Sequence, residues 1–235
     1  MRCHSFPFYS KTHSDYHSRG FQCFAESGWR DSYRYMKYRA LWQEIRNEYR
    51  EQNASVKKVK TVIIGNSLVH LFTPELMKRE FPNSNIVNRG IGGDMTETLL
   101  ERIKEDALVL RPDTIIIEIG GNDLIHGKCL SFIEANYHKL IQEIRIELPR
   151  SKIIFLSIPP TDAGNLNAVV PVMNQFLAGL PNQYPNLIYI DTWKYMRDKD
   201  LPRISREFLR YGGKDKLHFN EEGYSVWGRL LRPHI

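Results

Sequence analysis

Thr61-Val62-Ile63-Ile64-Gly65-Asn66-Ser67-Leu68 is a short apolar, β-branched run that stops at a glycine and is followed by a serine. Val62, Ile63 and Ile64 show no alternation of apolar and polar residues, so they suit a strand covered on both faces of a parallel sheet. Gly65 ends it. Thr73-Pro74-Glu75-Leu76 then supplies a cap and a proline at the first helical position, which places the next helix within a few residues. Ser67 therefore falls on a strand-to-helix loop. In an open parallel α/β sheet such loops gather at the carboxyl ends of the strands, where ligands bind. A Gly-Asn-Ser turn is also an ordinary strand ending, so Ser67 acquires a chemical reading only from the rest of the chain.

Working outward, the same pattern recurs. After a helix over about Pro74 to Phe81, Ile86-Val87-Asn88 reads as a strand, followed by the glycine loop Arg89-Gly90-Ile91-Gly92-Gly93-Asp94 and a helix from about Thr96 to Leu108. A dinucleotide fingerprint fails there, because Met95 stands where the third glycine is required. Thr114-Ile115-Ile116-Ile117-Glu118-Ile119 is the strongest strand and ends in Gly120-Gly121-Asn122-Asp123. Ser131-x-x-Glu134 predicts a capping box for a helix to about Leu148. Ile153 to Ile158 is a fourth strand, stopped by Pro159-Pro160. The polar loop Thr161 to Asn167 follows, with Asp162 and Asn165 as candidate substrate contacts. A helix around Val172 to Leu180, a fifth strand at Leu187 to Asp191 and a final helix from Asn220 to Leu231 complete the pattern, with Asp215-Lys216-Leu217-His218 just before that helix. Strands alternating with helices predict an α/β fold of three layers, a five-stranded parallel sheet between helices.

The 235 residues suit one large domain. Residues 31 to 235 form that domain, opening with a helix from Asp31 or Ser32 to about Gln52 whose apolar face is Tyr38, Leu41, Trp42, Ile45 and Tyr49. Residues 1 to 30 show no periodicity and read as a loosely ordered basic extension, dispensable for chemistry. The net charge of +6 lies wholly at this end: residues 1 to 60 hold 12 Lys/Arg against 6 Asp/Glu, and residues 61 to 235 hold 21 of each. A nucleic-acid groove in the main domain is thereby disfavoured. No apolar stretch approaches the length of a membrane span, and Met1-Arg2-Cys3-His4-Ser5-Phe6-Pro7 lacks the apolar core of a secretory signal. Cys3, Cys23 and Cys129 are too few and too scattered for a disulfide framework, and their spacing with His4, His13 and His17 matches no zinc pattern. The expectation is a cytoplasmic protein without metal or cofactor.

Four loops thus fall at one end of one sheet, carrying Ser67, Gly93, Asn122 and the pair Asp215/His218. A serine hydroxyl needs a base, an imidazole serves at neutral pH, and a carboxylate three residues away on the same loop fixes its tautomer. Backbone N–H groups at glycine and an asparagine amide suit a developing oxyanion. His126 competes as base but has no carboxylate placed to orient it.

The four blocks Gly65-Asn66-Ser67-Leu68, Asn88-x-Gly90-x-x-Gly93-Asp94, Gly120-x-Asn122-Asp123 and Asp215-x-x-His218 resemble, in order and spacing, those of the SGNH hydrolases, the GDSL-type esterases and lipases. The glycine loop is similar to that of the platelet-activating-factor acetylhydrolase type. The resemblance implies a flavodoxin-like sheet order 2-1-3-4-5. It implies Ser67 as nucleophile, His218 as base and Asp215 as its orienting carboxylate. The oxyanion donors would be the N–H groups of Ser67 and Gly93 and the Asn122 side chain. It implies hydrolysis of a small-molecule carboxylic ester through an acyl-enzyme. One departure is plain: the family usually has aspartate where Asn66 stands. The absence of Gly-x-Ser-x-Gly disfavours the larger α/β-hydrolase fold. Two alternatives remain open, an acetylhydrolase acting on a lipid or sugar, and a catalytically silent module that binds a partner through the basic N-terminal region. Oligomeric state is not legible.

Overall fold

In the computed structural model, which describes residues 15–56 and 59–235, the chain forms helix α1 (Ser32–Ser55) and then enters strand β1 (Thr61–Gly65). One-turn helix α2 (Ser67–His70) follows at once, then α3 (Pro74–Glu80), β2 (Ile86–Gly90), α4 (Thr96–Asp106) and β3 (Thr114–Glu118). The second half runs α5 (Gly121–Ile125), α6 (Leu130–Glu147), β4 (Lys152–Leu156), α7 (Gly164–Asn167), α8 (Val170–Gly179), β5 (Leu187–Ile190), α9 (Thr192–Met196) and α10 (Glu221–Leu231). The five strands are parallel in the order β2-β1-β3-β4-β5.

Strand alternation sorts the side chains to two faces. Val62, Ile64, Ile115, Ile117, Ile153 and Phe155 pack with α4, α6 and α8 through Leu99, Ile103, Leu140, Ile144, Met173 and Leu177. Ile63, Ile116, Ile154 and Leu156 pack on the other side with Leu68, Val69, Phe72, Tyr224 and Trp227. Both faces are covered, which is why the strands read as unbroken apolar runs. Because β1 lies between β2 and β3, the chain reverses direction across the sheet there, and a crevice opens at the carboxyl ends of β1 and β3.

Local starts follow the residues. Asp31 caps α1 through the Arg34 N–H, Thr73 caps α3 with Pro74 in its first turn, and Asn220 caps α10 through the N–H groups of Glu222 and Gly223. The capping box expected at Ser131 is not formed: α6 starts at Leu130 with Cys129 at its cap position and no side-chain cap bond.

Two readings of the N-terminal region need correction. Cys23 and Cys129 form a disulfide across 106 residues of sequence, so the count of three cysteines concealed a cross-link, and the cytoplasmic expectation loses the support it drew from cysteine usage. The described part of the extension is also tied to the domain. Phe24 exchanges backbone hydrogen bonds with the Gly127–Cys129 segment, and Gly28 N–H donates to Glu97 Oε1. Trp29 is buried, stacked on Tyr38 at 4.9 Å and on His126 at 4.1 Å. Periodicity gave no sign of this because the strap docks by single contacts. Cys3, His4 and His13 lie outside the described residues. No helix among the described residues is long and apolar enough to cross a membrane.

Candidate active site

Ser67 opens α2 immediately after β1. Asn66 caps that turn, its Oδ1 accepting the Leu68 N–H at 2.8 Å, so asparagine fulfils the capping role without the family's usual charge. Gly65 is obligatory beneath it: its φ is +157° and a Cβ there would lie 1.9 Å from the Glu118 carbonyl oxygen. From the other face, Tyr224 of α10 donates its hydroxyl to the Leu68 carbonyl at 2.8 Å.

The loop before α10 brings the imidazole. His218 Nε2 is 2.8 Å from Ser67 Oγ, and His218 Nδ1 is 2.8 Å from Asp215 Oδ2. Asp215 Oδ1 accepts the backbone N–H groups of Leu217 and His218 at 3.0 and 3.1 Å, which folds the loop onto its own carboxylate. Burial pushes the Asp215 carboxyl up, but the His218 ring and these two N–H groups outweigh it and hold the pKa at about 2. An ionised carboxylate on Nδ1 keeps the proton there and leaves Nε2 to accept from the serine.

Asn122, in the first turn of α5, is buried beside Ser67 and His218 in one cleft. One N–H of its amide donates to the Asp94 carbonyl at 2.9 Å; an asparagine amide carries two. Asp123 braces its loop against α4, accepting from the Thr96 N–H and hydroxyl. The remaining wall of the cleft is apolar, with Leu68, Ile125, Ile158, Leu166 and Val170.

The other expected residues are placed less directly. Gly93 lies in the β2–α4 loop with φ +86°, where a Cβ would meet the Tyr38 ring at 2.8 Å, and it is not among the residues lining the cleft. Asp162 and Asn165 do not line it either; Thr161 and Leu166 of the same loop do. Asn167 closes this loop, its side chain accepting the Thr161 N–H at 3.0 Å and donating to the Thr161 carbonyl at 2.7 Å, and Leu166 is buried beside it. His126 is removed as a rival base by its stacking on Trp29, and burial followed by the Lys128 charge lowers its pKa to about 4.

Sequence reasoning missed two groups around the site. Asp94 is fully buried and accepts from Tyr38 (3.0 Å), Trp42 (2.9 Å), Thr98 (2.8 Å) and Arg102 (2.7 Å). Tyr38 and Trp42 were visible as one helix face, but their polar atoms carry no periodic signal. Glu118, the last residue of β3, is fully buried on the floor of the cleft. A glutamate in a run of isoleucines was the available sign.

The comparisons with known proteins agree with this fold. A family model described as GDSL-like lipase/acylhydrolase matches residues 24–226. The platelet-activating factor acetylhydrolase IB subunit alpha1 of Bos taurus is 26% identical over 194 residues, covering 81% of this chain and 80% of that protein. Among solved structures, a protein from Streptococcus pneumonia superposes with a TM-score of 0.75 at 24% identity, covering 85% of this chain and 97% of its own. A GDSL-like lipase from Bacteroides thetaiotaomicron gives 0.68 at 18% identity, covering 80% and 95%.

Proposed function

This chain belongs to the GDSL-like lipase/acylhydrolase family, a family of hydrolases acting on esters, and from that premise we propose that it is a serine esterase working through an acyl-enzyme. The observation that carries the reading is the unbroken chain of contacts from Asp215 through His218 to Ser67, 2.8 Å at each step. Ser67 Oγ attacks the ester carbonyl carbon as His218 Nε2 takes its proton, and Asp215 stabilises the imidazolium. The tetrahedral oxyanion is received by the Ser67 N–H and the second N–H of Asn122; Gly93, which does not line the cleft, is a further donor only by resemblance to the family. Collapse expels the alcohol, which takes the proton from His218. A water activated by the same ring then hydrolyses the acyl-serine.

The apolar wall of Leu68, Ile125, Ile158, Leu166 and Val170 supports a small or medium acyl group as substrate. An acetyl ester is the reading closest to the acetylhydrolase relative. The intact proton chain is the specific observation against a silent module of the same fold. A series of p-nitrophenyl esters from acetate to palmitate, run beside mass spectrometry after treatment with an activated phosphonate, tests the proposal. Turnover of the shorter esters and one phosphonyl group on Ser67 are expected. A chain that turns over no ester and takes no label refutes it.

A further inference from the structure

Glu118 is a carboxylic acid at a position where the sheet asks for an isoleucine. Its neighbours in β3 are Ile115, Ile116 and Ile117, and its side chain shares the face of Ile116, beneath α2. Its Cα pairs with Gly65 at the end of β1, and its carbonyl accepts the Asn66 N–H at 3.3 Å. It is fully buried and lines the cleft together with Asn66, Ser67 and His218. Neither carboxyl oxygen meets a donor at ordinary hydrogen-bond geometry among the described residues. The one side chain that favours its charged form is Asn66. Asn66 Oδ1 is already engaged by the Leu68 N–H, which leaves its Nδ2 as the donor available to Glu118. An acid buried without a cation is costly, and a leucine would fill the site without that cost, so a role in the cleft is the economical explanation.

We propose that Glu118 is a positioning residue for the nucleophile: through the Asn66 side chain its carboxyl holds the Asn66 cap, and with it the Ser67 hydroxyl, in line with His218. The inference rests on the reading of Ser67 as nucleophile and goes beyond it. Burial, opposed only by the Asn66 side chain, raises the Glu118 pKa to about 8, so the group at neutral pH is a carboxylic acid, and its carbonyl oxygen is the acceptor this proposal gives to Nδ2. Other ionisable groups share this region. His218 faces the cleft from the loop before α10 with Asp215 behind it. Tyr137 of α6 feels the Glu118 charge. Arg102, paired with Asp94 and Asp106, reaches the same strand end by donating to the Gly65 carbonyl at 3.2 Å. Ionisation of Glu118 adds a negative charge beside the developing oxyanion, which opposes the reaction. The pairing also explains why asparagine rather than aspartate suits position 66: two carboxyls there would compete for one proton.

The test is a set of four variants, E118L, E118Q, N66D and N66D/E118Q, measured for kcat, KM, melting temperature and the alkaline side of the kcat profile. Misplacing the hydroxyl without emptying the site is expected to lower kcat of E118L by about 10- to 100-fold, with KM little changed and the melting temperature kept or raised. E118Q, which keeps an acceptor and carries no charge, is expected to hold kcat within about threefold at pH 7 and to lack the fall near pH 8 expected of the parent. N66D is expected to lose roughly tenfold, and N66D/E118Q to recover most of it, a non-additivity that a merely structural role would not produce. An E118L variant with parental kcat overturns the inference, as does an N66D effect of the same size in both backgrounds. If E118L fails to fold, the N66D/E118Q cycle decides alone. A parent that hydrolyses no ester and resists the phosphonate instead refutes the esterase reading, and the inference with it.

Discussion

Asn122 separates a catalytic from a structural reading most sharply, because its amide carries two N–H groups. One ties α5 to the Asp94 carbonyl, and the other is the donor proposed for the oxyanion. Asn122→Ala is therefore expected to lower both melting temperature and turnover, and the size of the second effect decides. A donor aimed at the transition state costs roughly 10² to 10³ in kcat with little change in KM. A loss below about tenfold in a destabilised protein would leave Asn122 as a turn residue only. Asp215 makes a prediction of a different kind. Its folded pKa of about 2 lies below the ordinary value of 3.8, so it stabilises the native state above pH 3.8 and loses that contribution as pH falls through about 2. Acid titration of the parent should show a loss of stability in that window that Asp215→Asn lacks. Identical acid profiles would mean that the carboxylate is not held as described. The types and spacing of both residues were legible in the sequence. What was not legible is how each is held, since the Asp94 carbonyl and the loop N–H groups are backbone partners chosen by folding.

The strap formed by residues 21 to 30 is the element whose expected role changes most. Absence of periodicity suggested a loosely ordered tail, yet its disulfide, its hydrogen bond from Gly28 and the Trp29 stack all reach the segment that follows α5 or the start of α4. Lys128, buried in the same segment, donates to the Glu26 carbonyl of the strap and lies 3.1 Å from Glu97. Cross-linking across 106 residues restricts the unfolded chain; native bridges are typically worth about 2 to 4 kcal/mol, and loop-closure entropy places one of this span near the upper end. Cys23→Ser, or reduction of the parent, is therefore expected to lower the melting temperature by roughly 5 to 15 °C. Turnover measured well below the melt should stay near that of the parent, since no strap residue lines the cleft. An unchanged melting temperature would show that the strap contributes nothing to the fold. In contrast, α1 was readable in advance. Tyr38, Trp42, Ile45 and Tyr49 are all buried as its 3.6-residue period requires, with Arg46 beside them on Asp106.

The whole molecule was legible to the extent that it is made of doubly covered strands and capped helices. Unbroken runs such as Ile115-Ile116-Ile117 leave little choice but a buried parallel sheet, and the reversal of strand order between β1 and β3 then fixes where Ser67 and Asn122 meet. His218 lies on the loop before α10, which packs against the turn that follows β1, Tyr224 and Trp227 against Phe72 and the Tyr224 hydroxyl on the Leu68 carbonyl. Contacts between single residues far apart in sequence stayed hidden: Cys23 with Cys129, Trp29 with His126, Glu118 with Asn66. They rest on pairings in space that neither composition nor periodicity encodes. The central claim is that Ser67, His218 and Asp215 act as one catalytic unit. Its most direct test is kcat/KM for a short-chain ester in the parent, Ser67→Ala, His218→Ala and the double variant. Groups that act together are strongly non-additive, so each single variant should lose several orders of magnitude and the double variant about the same. A Ser67→Ala protein keeping more than about a tenth of the parental turnover would contradict the account.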